Sequence, residues 1–255
     1  MSIPKEAIPA LKGRGFMNNR GTDEFSGRIV SPGSVFTAEQ VHAIAEIATK
    51  FGNGNVSFTS RQGAEVPGIH FDNLEAAEQF AQEHDLSFGG TGPKVRPITA
   101  CKGTTCVFGQ IDTQGIAKKI YEDFYLGWRP VVLPHKFKIG VGGCPNSCMK
   151  PTLNDFGLEG RAVPPGTEAN IAVYVGGTWG RNTAAGIKLP NMVTEAEAYV
   201  ILEKTLLWYR ENAYQKERLR GAIDRLGLEK FLADIEGDDL LNRKAEILAA
   251  DLKTK

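Results

Sequence analysis

The stretch GVGGCPNSCMKP, residues 140–151, places two cysteines four positions apart in a turn rich in glycine and proline. The chain has only two other cysteines, Cys101 and Cys106, in the stretch TACKGTTCVFG. The thiols therefore form two close pairs, C-x4-C and C-x3-C, with 37 residues between Cys106 and Cys144. The glycines around them indicate a backbone that closely approaches a bulky group.

Composition restricts the classes of function. Thirty basic residues balance thirty acidic residues among 255, so no overall charge attracts the chain to nucleic acid or to a membrane. Any anion must therefore be bound by a local cluster. The N-terminus lacks the apolar core of a signal peptide, and no run is long enough to span a bilayer. These features predict a cytoplasmic protein, in which paired cysteines bind metal more often than they form disulfides.

The first part of the chain has the pattern of a small α+β unit. Residues 1–23 lack periodicity and are predicted to form an N-terminal arm. The segment EFSGRIVS (24–31) alternates like a strand, and a capping box of Thr37 and Gln40 begins a helix. Two further strands, NVSFTS and AEVPGIHF, precede a second helix. This β-α-β-β-α order predicts a ferredoxin-like half-domain over residues 24–93.

A glycine-rich segment, FGGTGPK, separates this unit from a second one. The segments VRPITA, FKIGVGG and NIAVYVGG are predicted strands, and the first two lead directly into the cysteine pairs. Helical spacing of apolar residues predicts helices over 112–127 and from Thr194 to about Tyr214, followed by two shorter helices. The sequence thus predicts a mixed α/β domain over residues 94–255 and an α+β fold for the whole chain.

Four thiolates in two close pairs can bind either a tetrahedral zinc ion or a [4Fe-4S] cluster. Zinc ribbons usually place two residues between paired cysteines, because two sulfurs must converge on one small ion. The wider spacings here favour a larger group, and Pro145 follows Cys144 as prolines follow cluster cysteines in ferredoxins. A disulfide is disfavoured by the predicted compartment.

Basic residues lie close to both cysteine pairs. Lys136 and Lys138 share one face of a predicted strand shortly before Cys144, and Arg96 lies five residues before Cys101. Each alone would be interpreted as a solvated strand face or a surface salt bridge. Together, in a chain without net charge, they predict an anion site beside a redox centre. His135, adjacent to the lysines, is interpreted as a surface-turn residue.

These residues resemble the sirohaem-containing sulfite and nitrite reductases. The segments TACKGTTCVFG and LPHKFKIGVGGCPNSCMKP carry the resemblance, which extends from about Phe25 to VYVGGTWGRN and beyond. It is strongest to the small, single-half forms, such as the catalytic subunit of anaerobic sulfite reductase and the low-molecular-weight assimilatory-type enzymes. Larger members space the first cysteine pair as C-x5-C and contain two tandem halves.

The resemblance implies two cofactors, a [4Fe-4S] cluster and sirohaem. Cys101, Cys106, Cys144 and Cys148 would ligate the cluster, and Cys148 would also bridge to the sirohaem iron. Four basic residues match the family's set for binding the substrate anion: Arg28, Arg96, Lys136 and Lys138. Arg61 matches an arginine that contacts the carboxylates of sirohaem.

The implied reaction is the six-electron reduction of sulfite to sulfide. Three alternatives stay open at this point: reduction of nitrite to ammonia, a non-catalytic sirohaem and iron-sulfur electron-transfer subunit, and a structural zinc domain. Because the chain has one half and no additional C-x2-C-x2-C ferredoxin segment, electrons are expected from an external donor such as ferredoxin or a reductase subunit. A second copy or a partner subunit would complete the sirohaem pocket, so a homo- or hetero-oligomer is expected.

Overall fold

A computed structural model of the chain describes residues 6–255. The chain forms two compact units, one that ends at Gly92 and one that begins at Pro93. In the described range, no helix is both long enough and apolar enough to cross a bilayer.

The first unit contains an antiparallel sheet with the strand order β1-β2-β4-β3. In β2, Phe25, Gly27 and Ile29 are buried and alternate with half-buried residues, as expected for a strand with one covered face. The bounds of the strands are β1 Phe16–Asn18, β2 Glu24–Ile29, β3 Ser57–Phe58 and β4 Ala64–His70.

Three helices belong to this unit, α1 Ala7–Arg14, α2 Ala38–Lys50 and α3 Leu74–Glu83, as far as the described residues go. The predicted capping box is present, because the Thr37 hydroxyl accepts from the Gln40 amide at 3.2 Å and Gln40 Oε1 accepts from the Thr37 amide at 3.0 Å. The apolar faces of α2 and α3 form one core with the sheet. This core explains why the helical periodicity of the sequence was a reliable signal.

The predicted N-terminal arm comprised residues 1–23, of which residues 1–5 lie outside the described residues. Residues 6–23 contain regular secondary structure and do not form an arm. Helix α1 lies there, and β1 pairs with β2 in the sheet. Phe16 is fully buried and packs against Phe88 in a tilted arrangement, with ring centroids 4.6 Å apart. A strand of three residues is too short to show a period, so only tertiary packing reveals it.

The second unit contains a sheet in which the strands follow one another in chain order, β5-β6-β7-β8-β9. The pairings β5–β6 and β6–β7 are parallel, whereas β7–β8 and β8–β9 are antiparallel. The bounds are β5 Thr99–Ala100, β6 Ile139–Gly142, β7 Phe156–Gly160, β8 Ile171–Val175 and β9 Ile187–Val193.

Strands β7 and β9 were not predicted from the sequence. The sequence of β7, FGLEG, contains two glycines and a glutamate, which strands disfavour. Strand β9 contains Pro190 and lies at the edge of the sheet, where a missing backbone donor is tolerated.

The helices of this unit are α4 Thr113–Ile120, α5 Glu195–Asn212, α6 Leu219–Leu226, α7 Leu228–Glu236, α8 Asp239–Asn242 and α9 Lys244–Ala249. The predicted helix over 112–127 widens into a π-helical turn at Tyr121–Leu126. Thr194 is the N-cap of α5 and forms a second capping box with Glu197. Trp208 of α5 is fully buried and packs edge-on against Phe231 of α7, at 4.9 Å between centroids. The chain after α5 thus forms four short helices where two were expected.

Candidate active site

The two cysteine pairs follow neighbouring parallel strands. Because Thr99 pairs with Gly140 and Ala100 with Val141, the carboxyl ends of β5 and β6 lie at the same edge of the sheet. Cys101 is the first residue after β5, and its amide donates to the Val141 carbonyl at 3.2 Å. The amide of Gly143, the first residue after β6, donates to the Sγ atom of Cys101, also at 3.2 Å.

The loops that carry the two pairs touch through their glycine backbones. A methyl group built on Gly103 would stand 2.9 Å from the Gly143 Cα atom, and one built on Gly143 would stand 2.8 Å from the Gly103 Cα atom. The amide of Gln110 donates to the Gly143 carbonyl at 2.8 Å. Any larger residue at position 103 or 143 would push the cysteine loops apart.

The segment after Cys148 lies on the sheet across a glycine floor, which we define as Gly140, Gly157 and Gly177. A built Cβ on Gly157 would be 2.6 Å from the carbonyl carbon of Pro151, and one on Gly140 would be 2.5 Å from Asn154 Nδ2. A built Cβ on Gly177 would be 2.5 Å from the Asn154 carbonyl oxygen. The missing side chains let the backbone after the second cysteine pair lie directly on the strands.

The thiols are free, half-buried at Cys101, Cys106 and Cys144 and exposed at Cys148. Among residues 6–255, no three His, Cys, Asp or Glu side chains are close enough to share one metal ion. The structure therefore joins the two cysteine loops without gathering their four sulfurs into one group. Soft thiolate donors, an N–H···S hydrogen bond and close glycine contacts are the features of an iron-sulfur binding loop, so the residues fit such a cluster.

The basic residues predicted near the cysteines share one face of two paired segments. Val95 and Phe137 form a parallel bridge, and the Arg96 amide donates to the Phe137 carbonyl at 2.8 Å. Val95 and Phe137 are buried, whereas Arg96, Lys136 and Lys138 are half-buried. Alternation along a strand therefore places the three cations together on the other face.

Lys136 lies within electrostatic reach of Arg96 and of a further arginine, Arg218. Burial lowers the pKa of Lys136 below its ordinary value, and the charges of Arg218 and Arg96 lower it further, while Asp155 acts in the opposite direction. Burial also lowers the pKa of His135, with Lys136, Arg218 and Arg96 adding to the shift. The Lys136 amide donates to His135 Nδ1 at 2.8 Å. His135 is thus a half-buried neighbour of these cations with a lowered pKa, not the surface-turn residue expected from the sequence.

Sequence reasoning missed two charged residues of this region, Asp155 and Arg218. Arg218 donates to Asp155 from Nε at 3.2 Å and from Nη2 at 2.8 and 2.7 Å. Asp155 is fully buried and also accepts from the Lys138 amide at 2.8 Å. Burial raises the pKa of Asp155, and Arg218 opposes that rise. No sequence signal was available, because Asp155 precedes an unpredicted strand and Arg218 is remote in the chain.

Arg28 and Arg61 belong to the first unit. Arg28 lies on β2 and donates to Glu65 Oε2 of β4 from Nε at 3.1 Å and from Nη2 at 2.6 Å. Arg61 follows β3 in a turn in which Gln62 has a φ of 57°. Both arginines are half-buried. Their predicted roles toward substrate and sirohaem stay predictions.

Comparison with known families decides where this arrangement belongs. Residues 91–243, more than half of the chain, match the family described as "Nitrite and sulphite reductase 4Fe-4S domain". The chain belongs to this family. Residues 18–84 match the "Nitrite/Sulfite reductase ferredoxin-like half domain". The predicted resemblance to sulfite and nitrite reductases is thereby confirmed, and so is the cofactor set, sirohaem and a [4Fe-4S] cluster.

Some relatives of this domain are named sulfite reductases and others nitrite reductases. A coenzyme F420-dependent sulfite reductase of Methanocaldococcus jannaschii is 29% identical over 80% of this chain and 41% of its own length. An assimilatory-type sulfite reductase of Nitratidesulfovibrio vulgaris is 29% identical over 81% of this chain and 90% of its own length. Proteins named nitrite reductases match at 26 to 28% identity. The chain spans less than half the length of the first two curated relatives that it matches.

Solved structures show the same fold. The Mycobacterium tuberculosis NirA protein superposes with a TM-score of 0.79 at 18% identity, over 99% of this chain and 49% of that protein. The predicted fold class, a ferredoxin-like half-domain followed by a mixed α/β domain, is confirmed by this likeness and by the family matches.

Proposed function

We propose that this chain catalyses the six-electron reduction of sulfite to sulfide. The observation that carries the proposal is the half-buried cluster of Arg96, Lys136 and Lys138 on one face of two paired segments. These segments belong to the unit that also carries the four cysteines. A small anion with several oxygens is the ligand that such a group of cations recognises.

Cysteines and an arginine would hold the two cofactors. Cys101, Cys106, Cys144 and Cys148 would hold the [4Fe-4S] cluster, with Cys148 shared with sirohaem, and Arg61 would contact the carboxylates of sirohaem. When bound, these groups would pass electrons from an external donor to the substrate and would supply an iron centre for it. The N–H···S bond from Gly143 would orient the Cys101 sulfur toward the cluster.

The protein's own contribution is charge and protons. Arg96, Lys136 and Lys138 would donate hydrogen bonds to the sulfite oxygens and stabilise the negative charge that develops as electrons arrive. Each oxygen leaves as water, which requires two protons. Lys136 suits the role of proton donor because burial and neighbouring cations lower its pKa below 10.5, which makes its ammonium group more acidic.

Arg28 is proposed to bind the same anion. Its guanidinium is engaged with Glu65, so contact with substrate would share the arginine between a carboxylate and the substrate oxygens. The Glu65 carboxylate would then position Arg28 and hold it extended along β4.

Substitution of Lys136 tests the catalytic role. Lys136→Ala is expected to lower the turnover of sulfite by about 100-fold or more, because a general acid contributes roughly that much. The chlorin absorption and the iron content per chain should not change. Lys118→Ala, at an exposed lysine of α4, serves as the matched control and should retain full turnover. An equal loss of turnover and cofactors in Lys136→Ala would refute the assignment.

Nitrite reduction to ammonia is the second candidate, since the family and its relatives include nitrite reductases. Steady-state rates with both anions and one artificial donor decide between them, and a larger kcat/KM for nitrite would assign the alternative. Bound cofactors without turnover of either anion would indicate an electron-transfer subunit. We further propose an external electron donor, either a ferredoxin or a reductase subunit, and a homo- or hetero-oligomeric enzyme.

A further inference from the structure

The ion pair of the buried Asp155 and the half-buried Arg218 contacts the cation cluster through the backbone. Asp155 has no exposed surface, and the three hydrogen bonds that it accepts from Arg218 use both of its carboxylate oxygens. One of these oxygens also accepts from the Lys138 amide at 2.8 Å, and the Phe156 amide donates to the Lys138 carbonyl at 3.0 Å. The peptide groups on both sides of Lys138 are therefore fixed by residues 155 and 156.

Arg218 is fixed from its own side as well. It immediately precedes α6, and the Lys216 amide donates to the Pro134 carbonyl at 2.8 Å. The Tyr209 hydroxyl donates to the Glu217 carbonyl at 2.7 Å. The first bond joins the segment before α6 to the start of the Lys136 segment, and the second joins it to α5.

We infer that Asp155 and Arg218 are positioning residues of the anion site, in which Asp155 aligns the Lys138 strand and Arg218 adds a further positive charge next to Lys136. The effect of these two residues on turnover rests on the proposed function. Their contacts with the Lys136–Lys138 segment do not depend on which anion is reduced. A buried ion pair is a costly means of stability alone, because desolvation offsets much of the attraction. A role in orienting Lys136 and Lys138 explains why the ion pair lies beside them.

The groups that act on Lys136 come from several elements. Arg218 and Arg96 lower its pKa, Asp155 raises it, and the pKa of the adjacent His135 is itself lowered by burial and by the same cations. Arg218 contributes more than Arg96. Removal of the Arg218 charge should therefore raise the pKa of Lys136, and the alkaline limit of turnover should move to higher pH, since an acid catalyst must be protonated.

The test measures the pKa of Lys136 directly. Trace acetylation of the holoenzyme across a pH series, read by mass spectrometry, reports the pKa of each lysine without any turnover. The variants are Arg218→Gln, which removes the charge, and Arg218→Lys, which keeps the charge but loses the two-pronged contact. A third variant, Asp155→Asn with Arg218→Gln, leaves no unpaired buried charge if Arg218→Gln alone fails to fold.

We expect a raised Lys136 pKa in Arg218→Gln and in the double variant, and a wild-type value in Arg218→Lys. The double variant should also lower kcat/KM for sulfite by about 10- to 100-fold at unchanged chlorin content, the usual effect of removing a residue that orients a ligand. An unchanged Lys136 pKa in both charge-removing variants would overturn the inference. If the wild-type enzyme does not reduce sulfite while the pKa moves as expected, the proposed function fails and the positioning role stands.

Discussion

Replacement of Gly157 with alanine should destabilise the second unit, because the glycine floor has no space for a methyl group. The added Cβ would stand 2.6 Å from the carbonyl carbon of Pro151, whereas ordinary contacts begin at 3.4 Å. The carbonyl carbon of Pro151 would have to move by about 0.8 Å, and the carbonyl oxygen, which is nearer to the added Cβ, by more. This segment is held in place by a hydrogen bond from the Gly186 amide to the Thr152 carbonyl at 2.7 Å.

The expected cost follows from overpacking. Extra methyl groups in a well-packed interior typically cost 1 to 3 kcal/mol, and contact with backbone, which cannot rotate away, favours the upper end, about 3 kcal/mol. For a chain of this size, each kcal/mol shifts Tm by roughly 2 to 4 °C. Gly157→Ala should therefore lower Tm by about 6 to 12 °C.

The assay is thermal unfolding followed by circular dichroism, with Gly237→Ala as the matched control. Gly237 is exposed, has a φ of −75° and has no atom within 4 Å of a built Cβ. The control should unfold within about 1 °C of wild type, since surface substitutions usually change stability by less than 0.5 kcal/mol. If the Tm of Gly157→Ala equals that of the control, the Pro151 segment does not contact the glycine floor as described.

Three further predictions concern the cysteine loops and the anion site. Asp112 caps α4 by accepting from the Gly115 amide at 3.0 Å and the Thr104 hydroxyl at 2.5 Å, so Asp112→Ala should cost about 1 kcal/mol at neutral pH. The hydrogen bond from Thr104, and to a smaller extent that from the Gly115 amide, lowers the pKa of Asp112 below its ordinary value of 3.8. The stabilisation by this cap is therefore fully present above pH 3.8 and is lost as the pH falls through the lowered pKa. A stability difference between variant and wild type that persists in strong acid would contradict the cap. When purified without oxygen, the wild-type protein should hold about five irons per chain, and Cys106→Ser should lose the iron of the cluster. One zinc ion per wild-type chain would refute the cluster. Turnover by wild type should fall with rising pH at a pKa below 10.5, and the Lys136→Ala variant should lose that limb in a pH–rate profile.

Local signals in the sequence were sufficient where the structure depends on neighbouring residues. The capping box at Thr37 forms as predicted, because it depends on a hydroxyl and an acceptor three residues apart. The helix predicted from Thr194 also forms, and the structure adds a second capping box there. The strands that lead into Cys101 and Cys144 were also predicted, since each is a short apolar run bounded by turn residues. The joining of the two cysteine pairs could be inferred because the chain has no other thiols.

The same reasoning failed where long-range packing overrides local preference. Strand β7 has the composition of a turn, yet it is buried because it lies between β6 and β8 in the sheet. Its two glycines look like turn residues in the sequence, but Gly157 serves to seat the Pro151 segment. A residue type chosen for contact with a distant backbone carries no local signature.

The sequence by itself determined the chemistry of this protein: four thiols in two pairs, a lysine pair on one strand face and an arginine before the first cysteine. Their identity and spacing are properties of the covalent chain, so the family and its cofactors could be predicted from them. Only the tertiary structure decided which charges act on one another. The ion pair of Asp155 and Arg218 and its effect on Lys136 depend on burial and on distances between remote segments. Coulomb interactions and desolvation vary with position in space, and linear order does not encode that position.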